Sequence, residues 1–157
     1  MLQENEIQLV RVAPVHTAVV RARVAAEQLS AFVPAVCGEV WCYARQFGLP
    51  AGRHVALYLT EGVVECGVEV NATFSGNDRV VCSQLPGGII ATATHLGPYA
   101  LLGATHRAIR HWCAARGHRA TGISWELYGH WQPEWNNEPS RIHTDVCHLL
   151  QTTSSGS

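Results

Sequence analysis

The chain repeats itself, and a repeat restricts a fold more than any single motif does: two copies of one unit must share a core. The stretch from Val10 to Val24, VRVAPVHTAVVRARV, resembles the stretch from Val81 to Gly97, VCSQLPGGIIATATHLG. Each has a strand-like run, a turn led by Pro14 or Pro86, and a second strand-like run. Ala18, Val20, Ala22 and Val24 alternate with Thr17, Val19, Arg21 and Arg23. That period of two signals a half-buried strand, with Val19 the one apolar residue on the polar side.

A helix is predicted next in each half. Val33, Val36, Val40, Tyr43 and Phe47 recur at steps of three and four, which sets them on one helical face. Pro34 is placed near the start of that helix, where a missing N–H is harmless, and Gly48 at its end. In the second half Pro98 suits a first turn, Leu102, Thr105, Ile109 and Trp112 form the stripe, and Gly117 is the stop. Two strands then close each half. The run from His54 to Thr60 answers Ser124 to Gly129, and Val63 to Val70 answers Ile142 to Leu149.

The order is therefore β-α-β-β twice, about residues 6–73 and 79–150, with residues 73–79 as the hinge. This predicts an α+β fold with pseudo-two-fold symmetry: a largely antiparallel sheet, two main helices on one face, and a central groove where the halves meet. Residues 1–151 make one domain, and the polar tail over 152–157 is expected to be disordered. Junctions between such halves are common ligand sites.

Composition narrows the function. Hydrophobic residues make up 47% and charged residues 15%, enough apolar matter for a core. The formal net charge is −1, so no basic field exists to hold nucleic acid or an anionic membrane. All eleven basic residues are Arg, which excludes a Schiff-base or P-loop lysine. Six cysteines occur with no C-x-x-C pair, and the start, MLQENEIQLV, has no signal-peptide pattern. A cytoplasmic protein with reduced thiols packed as small hydrophobes is the expectation.

WELY is the most informative run. On a strand, Glu126 and Tyr128 point to one face and Trp125 and Leu127 to the other. The matching positions in the first half are Ala56 and Tyr58. Under pseudo-symmetry Tyr58 and Tyr128 flank the groove and Glu126 lies between them. A carboxylate walled by aromatic rings suits a lipophilic cation, because the ring faces add about 0.5–2 kcal/mol each. The same spacing also fits a glutamate that faces water from an edge strand.

The second half resembles the GyrI-like effector-binding domains, the superfamily that includes ligand-binding halves of multidrug-sensing transcription regulators. The resemblance rests on LPGG (85–88), HLGPY (95–99), the helix ending in Trp112, and WELYG (125–129). VECGVEV in the first half looks like that family's corresponding strand, and coverage is about residues 6–150. Glu69 and His148 stand where the family often has proline. The resemblance implies the duplicated fold and a cleft for hydrophobic, often cationic, compounds, with Glu126 as charge partner. It also implies an alternative, since some stand-alone members hydrolyse strained electrophilic natural products by opening a cyclopropane ring with water. Glu126 would then orient or deprotonate the water and Tyr128 would donate a proton. No sequence feature separates enzyme from binder. Inhibition of a topoisomerase, which the family name suggests, ranks last, because the twelve acids are scattered.

Other residues admit two readings each. Trp112 is core or pocket wall. Trp131 and Trp135 lie in the loop HWQPEWNNEP, as a lid over the groove or as simple packing. Tyr99 opens the second helix as a further wall or a structural tyrosine. His106 with His111, and His143 with His148, lack the spacing of a zinc signature, so no metal or other cofactor is expected. His111 and Cys113, two apart, do not face each other as a catalytic pair would. The partner is thus expected to be a small hydrophobic or cationic ligand, with a sheet edge offering a route to a homodimer.

Overall fold

The computed structural model describes residues 6–152. The tail expected to be disordered lies, beyond Thr152, outside them. Eight strands form one antiparallel sheet: β1 (Gln8–Val12), β2 (Val15–Arg23), β3 (Ala51–Tyr58), β4 (Val63–Val70), β5 (Val81–Leu85), β6 (Gly88–Leu96), β7 (Ala120–Tyr128) and β8 (His143–Leu150). Helix α1 (Leu29–Gln46) separates β2 from β3, and α2 (Leu102–Ala115) separates β6 from β7. Among the described residues no helix is long and apolar enough to cross a membrane.

The strand order is β1-β6-β8-β7-β3-β4-β2-β5. Exchanging the halves turns this order into its own reverse, so the fold is α+β with a pseudo-two-fold axis between β3 and β7. The Pro-led turns do not make hairpins, however. β1 pairs with β6 and β5 pairs with β2, so each half lends its first strand to the other. This bends the whole sheet. In a flat sheet β1 and β2 would stand six spacings, about 29 Å, apart. Only Ala13 and Pro14 join them, and such a link spans about 11 Å at most. The sheet must therefore curl until the two turns meet, and a Cβ built on Gly87 would lie 2.6 Å from Pro14 Cδ.

The curl explains a departure from the alternation. Val19, read as an apolar residue on a polar side, is buried in a cluster with Val55, Leu57, Leu85, Ile90, Trp125, Leu127 and Cys147. Both faces of the central strands are buried: this cluster fills the inside of the curl, and the helices cover the other face. Val40 of α1 packs in one cluster with Ala18, Ala56, Cys66 and Val68, and Ile109 and Cys113 of α2 pack in another with Ala93 and Val146. Tyr128 packs against both helix-side clusters, at their seam.

Helix ends follow the local chemistry, with two corrections. Gly48 and Gly117 adopt φ of +68° and +74°, the left-handed turn that ends a helix without a Cβ penalty. Pro34 does not start α1; it lies inside it, because a 3-10 turn over Ala26–Gln28 carries the chain into the helix earlier. Phe47, placed on the apolar stripe, lies beyond the last helical residue and is exposed. Pro98 precedes a 3-10 turn over Tyr99–Leu101 that leads into α2.

Candidate functional site

The site is built where β3 and β7 pair. Their register sets Ala56 opposite Glu126, His54 opposite Tyr128 and Tyr58 opposite Ser124. Residues directly opposite share a face, so Glu126, Tyr58 and Tyr128 all rise on the helix side. Trp125 and Leu127 point into the curl, as strand alternation requires.

Glu126 is 5% exposed, and its charge is fully attended. Tyr58 donates its hydroxyl to Oε1 at 3.0 Å, and Tyr128 donates to the same oxygen at 2.5 Å. On the other side Oε2 stands 2.7 Å from His106 Nε2. His106 Nδ1 in turn stands 2.9 Å from His148 Nε2. Two tyrosines, one carboxylate and two histidines therefore form one connected set across β3, β7, α2 and β8. Every partner of the carboxylate is a group able to donate. Burial and the nearby carboxylate push both tyrosine hydroxyls up, Tyr128 well above the ordinary range, so they stay protonated donors. Burial pushes His148 down to about 4, helped by His106 and Arg110 and opposed by Glu126. His148 is therefore neutral at physiological pH.

The sequence-predicted residues separate into two groups. Tyr58, Glu126 and Tyr128 meet as described. Tyr99, half-exposed in the turn before α2, stands edge-on to Tyr128 with ring centroids 5.5 Å apart. Trp112 and Trp131 are not brought to the carboxylate. Trp112 stacks on His118 at 5.8 Å and carries the Arg116 guanidinium 4.5 Å over its ring, at the far end of α2. Trp131 rests edge-on to Trp135, which rests on His143. His143 alternates with His148 along β8, so this loop packs toward the face opposite Glu126. The loop is thus anchored by buried Trp135, with Trp131 exposed.

Sequence reasoning missed His106 and His148. In the sequence both stand out only as candidate metal ligands. The signal was helical phase: Leu102, His106, Ile109 and Cys113 run down one side of α2, so His106 had to face the sheet. Likewise His148 shares the Glu126 face because Ser124 is its partner on β7. Among the described residues no group of three or more His, Cys, Asp and Glu is arranged to hold a metal ion.

The two halves differ in chemistry at matched places. Strand register equates Ala56 with Glu126 and Val68 with His148. The buried helix positions Val36, Val40 and Ala44 match Thr105, Ile109 and Cys113, which equates Cys37 with His106. The carboxylate and both histidines thus belong to the second half alone, and Tyr58 is what the first half adds to the set. Cys37 is a neutral thiol, pushed up to about 12 by burial, and its Sγ lies 3.8 Å from the Val55 carbonyl.

No protein-family model matches the chain, and no curated protein matches it in sequence. Solved structures do match. The EcmrR C-terminal domain superposes with a TM-score of 0.75 at 18% identity, covering 94% of this chain and 98% of that one. The chain has the fold of the GyrI-like effector-binding domains. SAV2435, solved bound to tetraphenylphosphonium, gives a TM-score of 0.68 at 12% identity, over 93% of this chain and 94% of its own. A hydrolase encoded by lin2189 from Listeria innocua gives 0.60 at 9% identity, over 93% and 92%. At these identities the likeness is one of fold.

Proposed function

We propose that this GyrI-like domain binds hydrophobic aromatic cations in the groove over β3 and β7, for sensing or sequestration of such compounds. One observation carries the reading: the carboxylate of Glu126, buried on the helix side and held by three donors, two of them tyrosine hydroxyls. Those donors fix the anion in place. They also occupy much of its hydrogen-bonding capacity, so an incoming group gains from its field and from the ring faces rather than from a direct salt bridge. A delocalised cation needs no hydrogen bond and suits that arrangement. SAV2435, of the same fold, was solved with such a cation.

The hydrolytic alternative asks Glu126 to take a proton from water. A carboxylate that already accepts three hydrogen bonds is a better fixed charge than a base, so the donor geometry favours binding. Calorimetric titration with tetraphenylphosphonium tests the proposal directly. Saturable binding that collapses in Glu126→Gln is expected, and no heat at high micromolar ligand refutes it. Mass spectrometry after incubation with a cyclopropane-bearing electrophile tests the alternative, which fails when the compound returns unchanged.

A further inference from the structure

We propose that His106 and His148 form a one-proton store behind Glu126, and that a lipophilic cation entering the groove empties it. The proposal rests on the cation-binding reading of the same groove. Its basis is the continuous contact Glu126 Oε2, His106 Nε2, His106 Nδ1, His148 Nε2, with separations of 2.7 Å and 2.9 Å at the two polar steps. A carboxylate only accepts, so the hydrogen of the first step belongs to His106 Nε2. The second step joins two ring nitrogens and holds one hydrogen between them.

That hydrogen has two homes. In the neutral pair His148 Nε2–H donates to His106 Nδ1. When one proton is added at His148 Nδ1, the shared hydrogen passes from His148 Nε2 to His106 Nδ1. The positive charge then appears on His106, which bonds Glu126, and His148 stays neutral. Burial places the charge there, since His148 resists a proton down to about pH 4 with His106 and Arg110 opposing it. Of the elements packed around the pair, β3 carries one further imidazole, His54, opposite Tyr128, and burial pushes it below its ordinary value. Tyr58 of β3 stands edge-on to His106 with ring centroids 6.3 Å apart, and Tyr58 and Tyr128 hold their protons. Cys37 of α1 and Cys66 of β4 are buried thiols raised well above their ordinary range. Tyr99, on the turn before α2, is raised by burial as well.

A groove cation and a His106 imidazolium claim the same single negative charge. Each disfavours the other, so binding expels the stored proton. The sign follows. Acid fills the store and a filled store repels the ligand. Affinity therefore weakens by about tenfold per pH unit on the acid side of the filling midpoint and is flat on the alkaline side. His106 and His148 act as positioning residues through Glu126. The matching places in the first half, Cys37 and Val68, hold no second store.

The test uses the intact chain and tetraphenylphosphonium, whose charge does not vary with pH. Calorimetric titrations from about pH 5 to about pH 8, in buffers of different ionisation heat, count the protons released per cation. One proton released on the acid side, with the tenfold slope, is expected. His106→Gln keeps an amide donor toward Glu126 but cannot carry the charge, and it should bind with a flat pH profile. Tight binding with no proton release in the natural chain overturns the store while leaving the groove reading intact. A slope that persists in His106→Gln also overturns it. Absence of binding at every pH removes the groove reading, and the linkage with it.

Discussion

Glu126→Gln isolates the charge of the site from its shape. Gln has the same length, and every hydrogen bond can be refilled. Its amide oxygen takes the Tyr58 and Tyr128 hydroxyls at Oε1, and its NH2 faces His106 Nε2. His106 then carries its hydrogen on Nδ1 and donates to His148 Nε2. Only the second amide hydrogen is left without a partner, so stability should fall by about 1 kcal/mol. Binding should change far more. A cation stacked on the tyrosine rings sits about 6 Å from the carboxylate. At an effective dielectric of about 20 their attraction is 332/(20 × 6), about 3 kcal/mol. That is about a hundredfold in Kd. The assay is calorimetric titration with tetraphenylphosphonium beside neutral triphenylphosphine oxide, which offers the same rings without the charge. The cation should lose about a hundredfold and the neutral compound little. An equal loss for both would show that the substitution damages the groove, and no loss for either would show that Glu126 does not hold the ligand.

Three further outcomes follow from the same contacts. Tyr128→Phe keeps the ring between the two helix-side clusters and removes one donor from buried Glu126, so urea denaturation should report a loss of about 1–2 kcal/mol. His148 has its folded value depressed below its unfolded one; stability is therefore complete above about pH 6.5 and falls as pH drops toward about 4, by up to about 1.4 kcal/mol per unit, in urea melts across that window. Trp131→Ala strips an exposed ring from Trp135 on the side away from Glu126, so cation affinity should stay within about 0.5 kcal/mol in the same titration.

The sequence was legible where periodicity is local. The alternation in Ala18 to Arg23 and the three-four stepping in both helices depend on neighbours a few residues away, so α1, α2 and the strands could be placed. Pairing partners could not. The runs around Pro14 and Pro86 look like hairpins, and only the long-range pairing of β1 with β6 and β5 with β2 shows that the halves exchange strands. Glu126, Tyr58 and Tyr128 were within reach because alternation fixes their common face. His106 and His148 were not reached, since each is one turn or one strand away from the carboxylate and meets it only when α2 lies on β8 and β7. The tryptophans misled for a physical reason: a large ring covers any exposed apolar spot, and Trp112 and Trp131 cover the end of α2 and the loop on the other face.

A duplicated fold could have carried two acids at its axis, and the register shows why one is the stable number. Ala56 is fully buried directly opposite Glu126, where the Cβ atoms of paired residues stand about 5 Å apart. Ala56→Glu would set two carboxylates in one dry site. At an effective dielectric of about 20, charges about 5 Å apart repel by about 3 kcal/mol. Tyr58 and Tyr128 already serve Glu126, so the new carboxylate finds no free donor among them. One of the pair must then take a proton, and its value rises above the ordinary carboxylate range. The stability of Ala56→Glu should accordingly recover as pH falls from neutral toward the pair's shared titration, opposite in sign to the His148 effect. Ala56→Gln supplies the same bulk without charge and should carry only the packing cost at every pH. Urea melts of the two variants side by side separate charge from size. Equal destabilisation of both across the whole pH range would mean that space alone, and not repulsion at the axis, keeps the first half free of a second glutamate.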